Sequence, residues 1–335
     1  MKGYQTTNWL AIAIFLALII IFPFIFSGSY FITKFTFAGI YVIIAVSLGL
    51  LMGFAGQISL GHAAFYGVGA YTSAVLTTTY GMNPLVSLLF SMLFPAIIAF
   101  LISFTLSRLS GYYLAMATLA FGIIVNVLLV EWKSVTGGAS GLYNIPKIEI
   151  FGYKFTQGLP YFYLVWGVAF VIVILSLNII NSRIGRALRS IHGSEIAANA
   201  MGVDVAKYKM QVFVLGAVFT GIAGWLMAHM SFSITPDSFT LDASIVFLAM
   251  VVLGGSSTIW GAVIGAVLIS FISVFVKLLG EHISFITSDF EHVLYGLILM
   301  LVIMFLPQGV LPSIQHFIQS KKLSKKSKVQ TEAQA

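Results

Sequence analysis

Two stretches carry the residues with which this chain could do chemistry. The first runs from Gly53 to Tyr71, where glycines at 53, 56, 61, 67 and 69 interrupt an apolar background and set Gln57, Ser59 and His62 close together. Each glycine weakens a continuous helix by about 1 kcal/mol relative to alanine, so the run reads as a break between two apolar segments. A broken helix inside a membrane exposes N–H and C=O groups to a cavity, and Gln57, Ser59 and His62 would add polar side chains there. A zwitterionic solute could place its carboxylate near helix N-termini around Gln57 to His62 and its side chain against Phe65, Tyr66 or Phe121. The same glycines are also what close helix packing requires, as at Gly49/Gly53 and Gly261/Gly265, with His62 then an ordinary core residue. The residues alone leave both readings open.

The second stretch, Ser182 to Lys209, is a long charged segment between two apolar runs. Arg183, Arg186 and Arg189 recur every three residues and fall near one helix face, while Glu195-Ile196-Ala197-Ala198 leads into Gly202. An amphipathic helix pair of this kind is suited to being gripped by a partner outside the membrane; the alternative is an interfacial helix lying on anionic lipid.

Other chemistries find no support. The chain has no cysteine, which removes disulfides, thiolate metal sites and a thiol nucleophile. Histidines at 62, 192, 229, 282, 292 and 316 lack metal-ligand spacing, so no metal site is expected. Thr136-Gly137-Gly138-Ala139-Ser140-Gly141 has no following Lys-Ser/Thr, and is read as a turn rather than a phosphate loop; no nucleophile elbow is present. Glu131, Asp237, Asp242 and Lys277 fall near the ends of the expected spans. An ionisable relay at mid-membrane, which a proton- or sodium-driven carrier would need, is therefore not expected.

These residues must be positioned by membrane helices. With 59% hydrophobic and 8% charged residues among 335, and a mean hydropathy of +1.03, the chain reads as a polytopic all-α membrane protein. Apolar runs predict spans at 9–26, 35–52, 62–80, 84–107, 112–130, 161–180, 210–230, 241–253, 259–279 and 293–306. The 241–253 run is short and broken by Gly254-Gly255, so it fits a half-helix or re-entrant piece, and counts of eight to ten spans follow. Residues 1–320 form one transmembrane domain, and 321–335 a basic, disordered tail. Most of the 17 lysines and arginines, including Lys2, Arg108, the 182–209 loop and Lys321, Lys322, Lys325, Lys326 and Lys328, fall on one side, predicting that this side and both termini are cytoplasmic. The net charge of +7 then reflects topology, and the tail suits the lipid surface rather than nucleic acid.

The blocks GFAGQISLGHAAFYGVGAYTSA, GYYLAMATLAFG followed by TGGASGL, RIGRALRSIHGSEIAANAMGVDVAKYK and SIVFLAMVVLGGSSTIWGAVIGA resemble, in order from about residue 38 to 306, the LivM branch of branched-chain amino-acid ABC transporter permeases. The resemblance implies an inner-membrane subunit, not itself an enzyme, that carries leucine, isoleucine and valine. Relatives with these blocks are also associated with urea and short amides, and a secondary transporter is the more distant alternative. It further implies a LivH-type paralogous permease, two cytoplasmic ATPases that bind ATP and Mg, and an extracytoplasmic solute-binding protein. Arg186, Arg189, Glu195, Ala197, Ala198 and Gly202 then belong to a segment similar to the EAA motif, which docks in a groove of the ATPase. The chain departs from the usual motif in having His192-Gly193-Ser194 before Glu195.

Overall fold

The computed structural model describes residues 9–26, 28–106, 109, 111–150 and 152–280, and nearer the C-terminus 296–297, 300–301, 304–306 and 309–313. Lys2, Arg108, the histidines at 282, 292 and 316, half of the expected span at 293–306 and the basic tail lie outside the described residues.

Twelve helices are seen among the described residues: α1 (Trp9–Ile25), α2 (Ser29–Gly49), α3 (His62–Thr78), α4 (Pro84–Leu106), α5 (Gly111–Glu131), α6 (Lys133–Thr136), α7 (Leu159–Asn181), α8 (Arg183–Gly193), α9 (Glu195–Ala200), α10 (Val205–Met230), α11 (Leu241–Gly254) and α12 (Ile259–Gly280). Segments containing α2, α4, α5, α7, α10 and α12 are long and apolar enough to cross a membrane, whereas α1 and α11 are shorter apolar helices. The chain is thus an all-α polytopic membrane protein. Nine of the ten expected runs coincide with a described helix.

Burial sorts the spans. The most apolar windows of α2 and α10 are 78% and 72% buried inside the protein, against 22% for α4 and α5, so the first two are central and the last two peripheral. Peripheral α4 accordingly presents Leu89, Phe100, Leu101 and Phe104, which solvent water would penalise and lipid does not.

Because lipid tails are as apolar as leucine, packing here depends on close backbone approach between small residues. On α10, a Cβ at Gly221 would strike the Ser91 carbonyl of α4, and one at Gly224 would lie 2.6 Å from the Ala70 nitrogen of α3. Gly49 of α2 lies against Ala262 of α12, Gly265 of α12 against the Met250 carbonyl of α11, and Gly261 against the Gly255 carbonyl that follows α11. Polar cross-links reinforce them: Ser47 Oγ meets Thr220 Oγ1 at 2.9 Å, Trp166 Nε1 donates to the Phe35 carbonyl at 2.9 Å, and the Tyr161 hydroxyl donates to Leu226 at 2.6 Å.

One end of the bundle carries short strands: β1 (Leu142–Tyr143) pairs antiparallel with β4 (Ser233–Ile234), and β2 (Glu149–Ile150) with β3 (Tyr153–Lys154). Close by, His229 joins three elements. Its Nδ1 donates to the Pro146 carbonyl at 2.7 Å, its Nε2 meets Ser73 Oγ at 2.7 Å, Ser73 Oγ meets Ser87 Oγ at 2.7 Å, and Ser87 Oγ donates to the Pro84 carbonyl at 2.8 Å. The opposite end carries α8 and α9.

Candidate functional site

At the charged end, each short helix has its own start signal. Ser182 Oγ accepts from the Ile184 nitrogen at 3.1 Å, Ser194 Oγ from Ala197 at 3.3 Å, and Asp204 Oδ1 from Lys207 at 3.0 Å, each satisfying a donor that the first helical turn leaves free. Gly185, Leu188 and Ile191 recur every three residues and bury one face of α8, leaving Arg183 and Arg186 exposed on the other. Arg189 turns inward, its Nη2 donating to the Ile180 carbonyl at 2.8 Å and capping the end of α7.

On α9, Ala198 is buried, while Ile196 and Met201 are 86% and 84% exposed, large apolar side chains held away from their own protein. Glu195 behaves otherwise than its neighbours. It pairs with Lys209 Nζ at 2.5 Å, and the Lys209 side chain is 2% exposed against 43% for Glu195. Gly202 ends the segment with φ of +83°, a left-handed turn open to its surroundings. Of the six expected docking residues, Arg186, Ala197 and Gly202 are presented outward, Ala198 packs inward, and Glu195 and Arg189 hold the segment to the bundle.

The glycine-rich run builds the second part of the site. Helix α2 continues through a wider π-helical turn, Leu50–Phe54, and the chain then reaches Gly56, whose φ is +66°. A Cβ on Gly56 would stand 3.1 Å from His192 Nδ1 at the end of α8, and one on Gly53 would collide with the Ser256 carbonyl. From there the chain climbs back into the bundle without helix, and α3 starts only at His62. His62 Nε2 lies 3.7 Å from the place of a Cβ on Gly216, the twelfth residue of the 26-residue α10. At 1.5 Å per residue, α3 therefore begins about 17 Å along α10, near half depth.

Hydroxyl groups satisfy the backbone donors that this break frees. The Leu60 nitrogen donates to Thr118 Oγ1 of α5 at 3.0 Å, the Ala63 nitrogen to Ser244 Oγ of α11 at 3.1 Å, and Ser59 Oγ meets His62 Nδ1 at 3.1 Å. Gln57 Oε1 and His62 Nε2 are buried with no hydrogen-bond partner. Phe65 packs between Phe121 and Phe213, with centroids at 5.1 and 5.6 Å, and Tyr66 against Phe239 and Phe247 at 5.1 and 5.9 Å. Gln57, Ser59, His62, Phe65 and Tyr66 are all buried, with Ser59, His62, Phe65 and the half-buried Phe121 in a chain of contacts.

A family model described as "Branched-chain amino acid transport system / permease component" matches residues 30–304. The chain belongs to this permease family. The permease is 31% identical to the high-affinity branched-chain amino acid transport system permease protein LivM of Escherichia coli K12, covering 95% of this chain and 78% of that protein. It is 32% identical to LivM of Salmonella typhimurium, covering 91% and 75%, and 24% identical to LivH of Escherichia coli K12, covering 82% and 92%. No solved structure matches the permease.

Ser244 Oγ meets the Ala63 nitrogen, so the first turn of α11 packs one face on the buried start of α3. Asp242 stands in that turn, near the helix end as expected, on an exposed face. The sequence missed Thr118 and Ser244, whose service to the break is visible only once distant helices are brought together, and the Glu195–Lys209 pair.

Proposed function

We propose that this permease is a subunit of an ATP-driven importer that carries branched-chain amino acids inward across the inner membrane, in partnership with a LivH-type paralogue. Two cytoplasmic ATPases, which would bind ATP and Mg, grip segment 182–209, and a solute-binding protein delivers from the strand-bearing, outer side. The observation that carries this reading is α9, which holds Ile196 and Met201 out of their own protein next to a residue fixed by a buried lysine. Helix-in-groove docking needs such apolar anchors on a rigid stub. The solute is that of the relatives' names, and the likeness to both LivM and LivH supports a paralogous partner. The distribution of basic residues supports a cytosolic position for both termini and for α8 and α9.

A close contact within the permease supports a route from the ATPases to the pathway. Closing of the ATPases draws α8 and α9 together as a rigid pair. His192 at the end of α8 bears on Gly56, the start of the segment that climbs to α3. Movement of α8 is thereby passed to Gln57, Ser59 and His62, whose enclosure by Phe65, Tyr66 and Phe121 would open to admit the solute and close behind it.

The test is co-purification and uptake. Ile196→Asp and Gly202→Trp should leave the permease inserted and abolish its association with the ATPases, since a buried charge or bulk cannot be absorbed in a closely packed groove. The wild-type assembly in liposomes should accumulate leucine with ATP inside and continue in the presence of a protonophore. Intact association of both variants would refute the docking role of α9, and leucine uptake by the permease alone would refute ATP coupling.

A further inference from the structure

Asp242 occupies a position that no part of the docking or packing scheme uses. Its depth is bracketed on both sides. Before it, Phe239 packs on Tyr66 and Tyr71 with centroids at 5.1 and 5.8 Å, and its ring carbon Cγ lies 3.0 Å from the place of a Cβ on Gly67. After it, Ser244 Oγ accepts from the Ala63 nitrogen. Asp242 therefore lies alongside the first turns of α3, between Ala63 and Tyr71. Those turns meet Gly216 at one limit and Gly221 and Gly224 at the other, the twelfth, seventeenth and twentieth of the 26 residues of α10. Measured along α10, the carboxyl group lies well away from both ends of that span.

Asp242 is also exposed. Ile245, three residues on and on the same face of α11, is 43% exposed, and among the described residues no hydrogen bond or ion pair engages the Asp242 carboxylate. Facing hydrocarbon at this level is costly for an acid. Its place in the first turn of α11 returns only a small part of that cost through the helix dipole. A face bearing Asp242 and Ile245 at this level is therefore one that the water of a solute path, rather than lipid, would cover. A carboxylate offers two acceptor oxygens and no donor, which suits an ammonium group.

We propose that Asp242 lines the solute path and receives the α-ammonium group of the amino acid as it crosses. The assignment rests on the amino-acid reading given above. Ile245 supplies an apolar contact one turn away, so the face offers one charged and one greasy point to a molecule with the same two features.

The test uses the assembled transporter, with partner permease, ATPases and binding protein, reconstituted in liposomes. Asp242→Asn should lower the initial rate of leucine uptake at least tenfold while the subunits still co-purify, and Asp242→Glu should recover most of the rate. Asp242→Cys, in a chain that has no other cysteine, should react with a charged water-soluble thiol reagent and be protected severalfold by leucine with binding protein. Wild-type uptake by Asp242→Asn would overturn the ammonium contact, leaving only a helix-start role. An inert Asp242→Cys in every nucleotide state would overturn its place in the path. If the wild-type assembly carries no leucine, the amino-acid reading fails and the ammonium contact with it; if it does and Asp242→Asn is unaffected, only the Asp242 proposal fails.

Discussion

The Glu195–Lys209 pair is asymmetric, and its two halves should fail differently. Lys209 is almost wholly buried at the start of α10, whereas Glu195 keeps nearly half of its side chain accessible. Replacing Glu195 by alanine leaves a buried ammonium without its partner, which costs about 3 kcal/mol, at the low end for breaking a buried pair because the charged end of the bundle is close to water. Replacing Lys209 by methionine leaves a carboxylate that water can solvate and keeps the buried volume filled, so about 1 kcal/mol is expected. The double variant should resemble Lys209→Met, since the orphaned charge is gone. Hydrogen exchange of the α9 amides reports this directly: protection of residues 195–200 should fall roughly a hundredfold in Glu195→Ala and less than tenfold in the other two. Equal losses in the two single variants, or a double variant worse than Glu195→Ala, would refute the argument that burial of Lys209 sets the energetics.

Three further outcomes follow from the break between α2 and α3. Gly56→Val forces a branched side chain into a left-handed backbone beside His192, and should uncouple ATP hydrolysis from uptake; a wild-type ratio of solute moved to ATP hydrolysed would refute the α8 contact as a transmission point. Cysteines at Gln57, Ser59 or His62 should be inert to a small thiol reagent in the resting assembly and react during turnover, whereas persistent inertness would assign the glycines to packing alone. Ser244→Ala deprives the Ala63 nitrogen of its acceptor and should destabilise the detergent-solubilised permease by about 1–3 kcal/mol, measured as an earlier thermal unfolding midpoint; an unchanged midpoint would show that another acceptor takes over.

The helices were legible because an apolar run has a length, and the bilayer converts length into a span. The break at Gly53 to Tyr71 was legible for a similar reason, since glycines and polar residues do not otherwise cluster between apolar runs. Depth was not. A sequence shows where α11 starts, and Asp242 was rightly read as an end residue, but not that this end lies alongside the start of α3, where Ser244 meets Ala63. Long-range pairs were equally hidden: Ser47 with Thr220, or Ser73 with His229, are joined by hydroxyls that carry no mark of their partners. In the charged segment, the helix pair and its arginine spacing were visible, but the bonds of Arg189 to the Ile180 carbonyl and of Glu195 to the buried Lys209 were not. The sequence orders charges along a helix; it does not say which of them a neighbouring helix will claim.

The linkage through His229 is one hydrogen short. Its two ends, the carbonyls of Pro146 and Pro84, can only accept, so four contacts must be filled by the hydrogens of Ser73, Ser87 and a ring that supplies one when neutral. The neutral ring leaves one contact unfilled, and turning the Ser73 hydroxyl moves the vacancy between the ring and Ser87. The joint between α3, α4 and α10 can therefore exchange its weakest point from one helix pair to another without losing a bond in total. Three helices held this way can shear by small steps at their outer ends while remaining tied, as an alternating pathway requires of the parts that surround it.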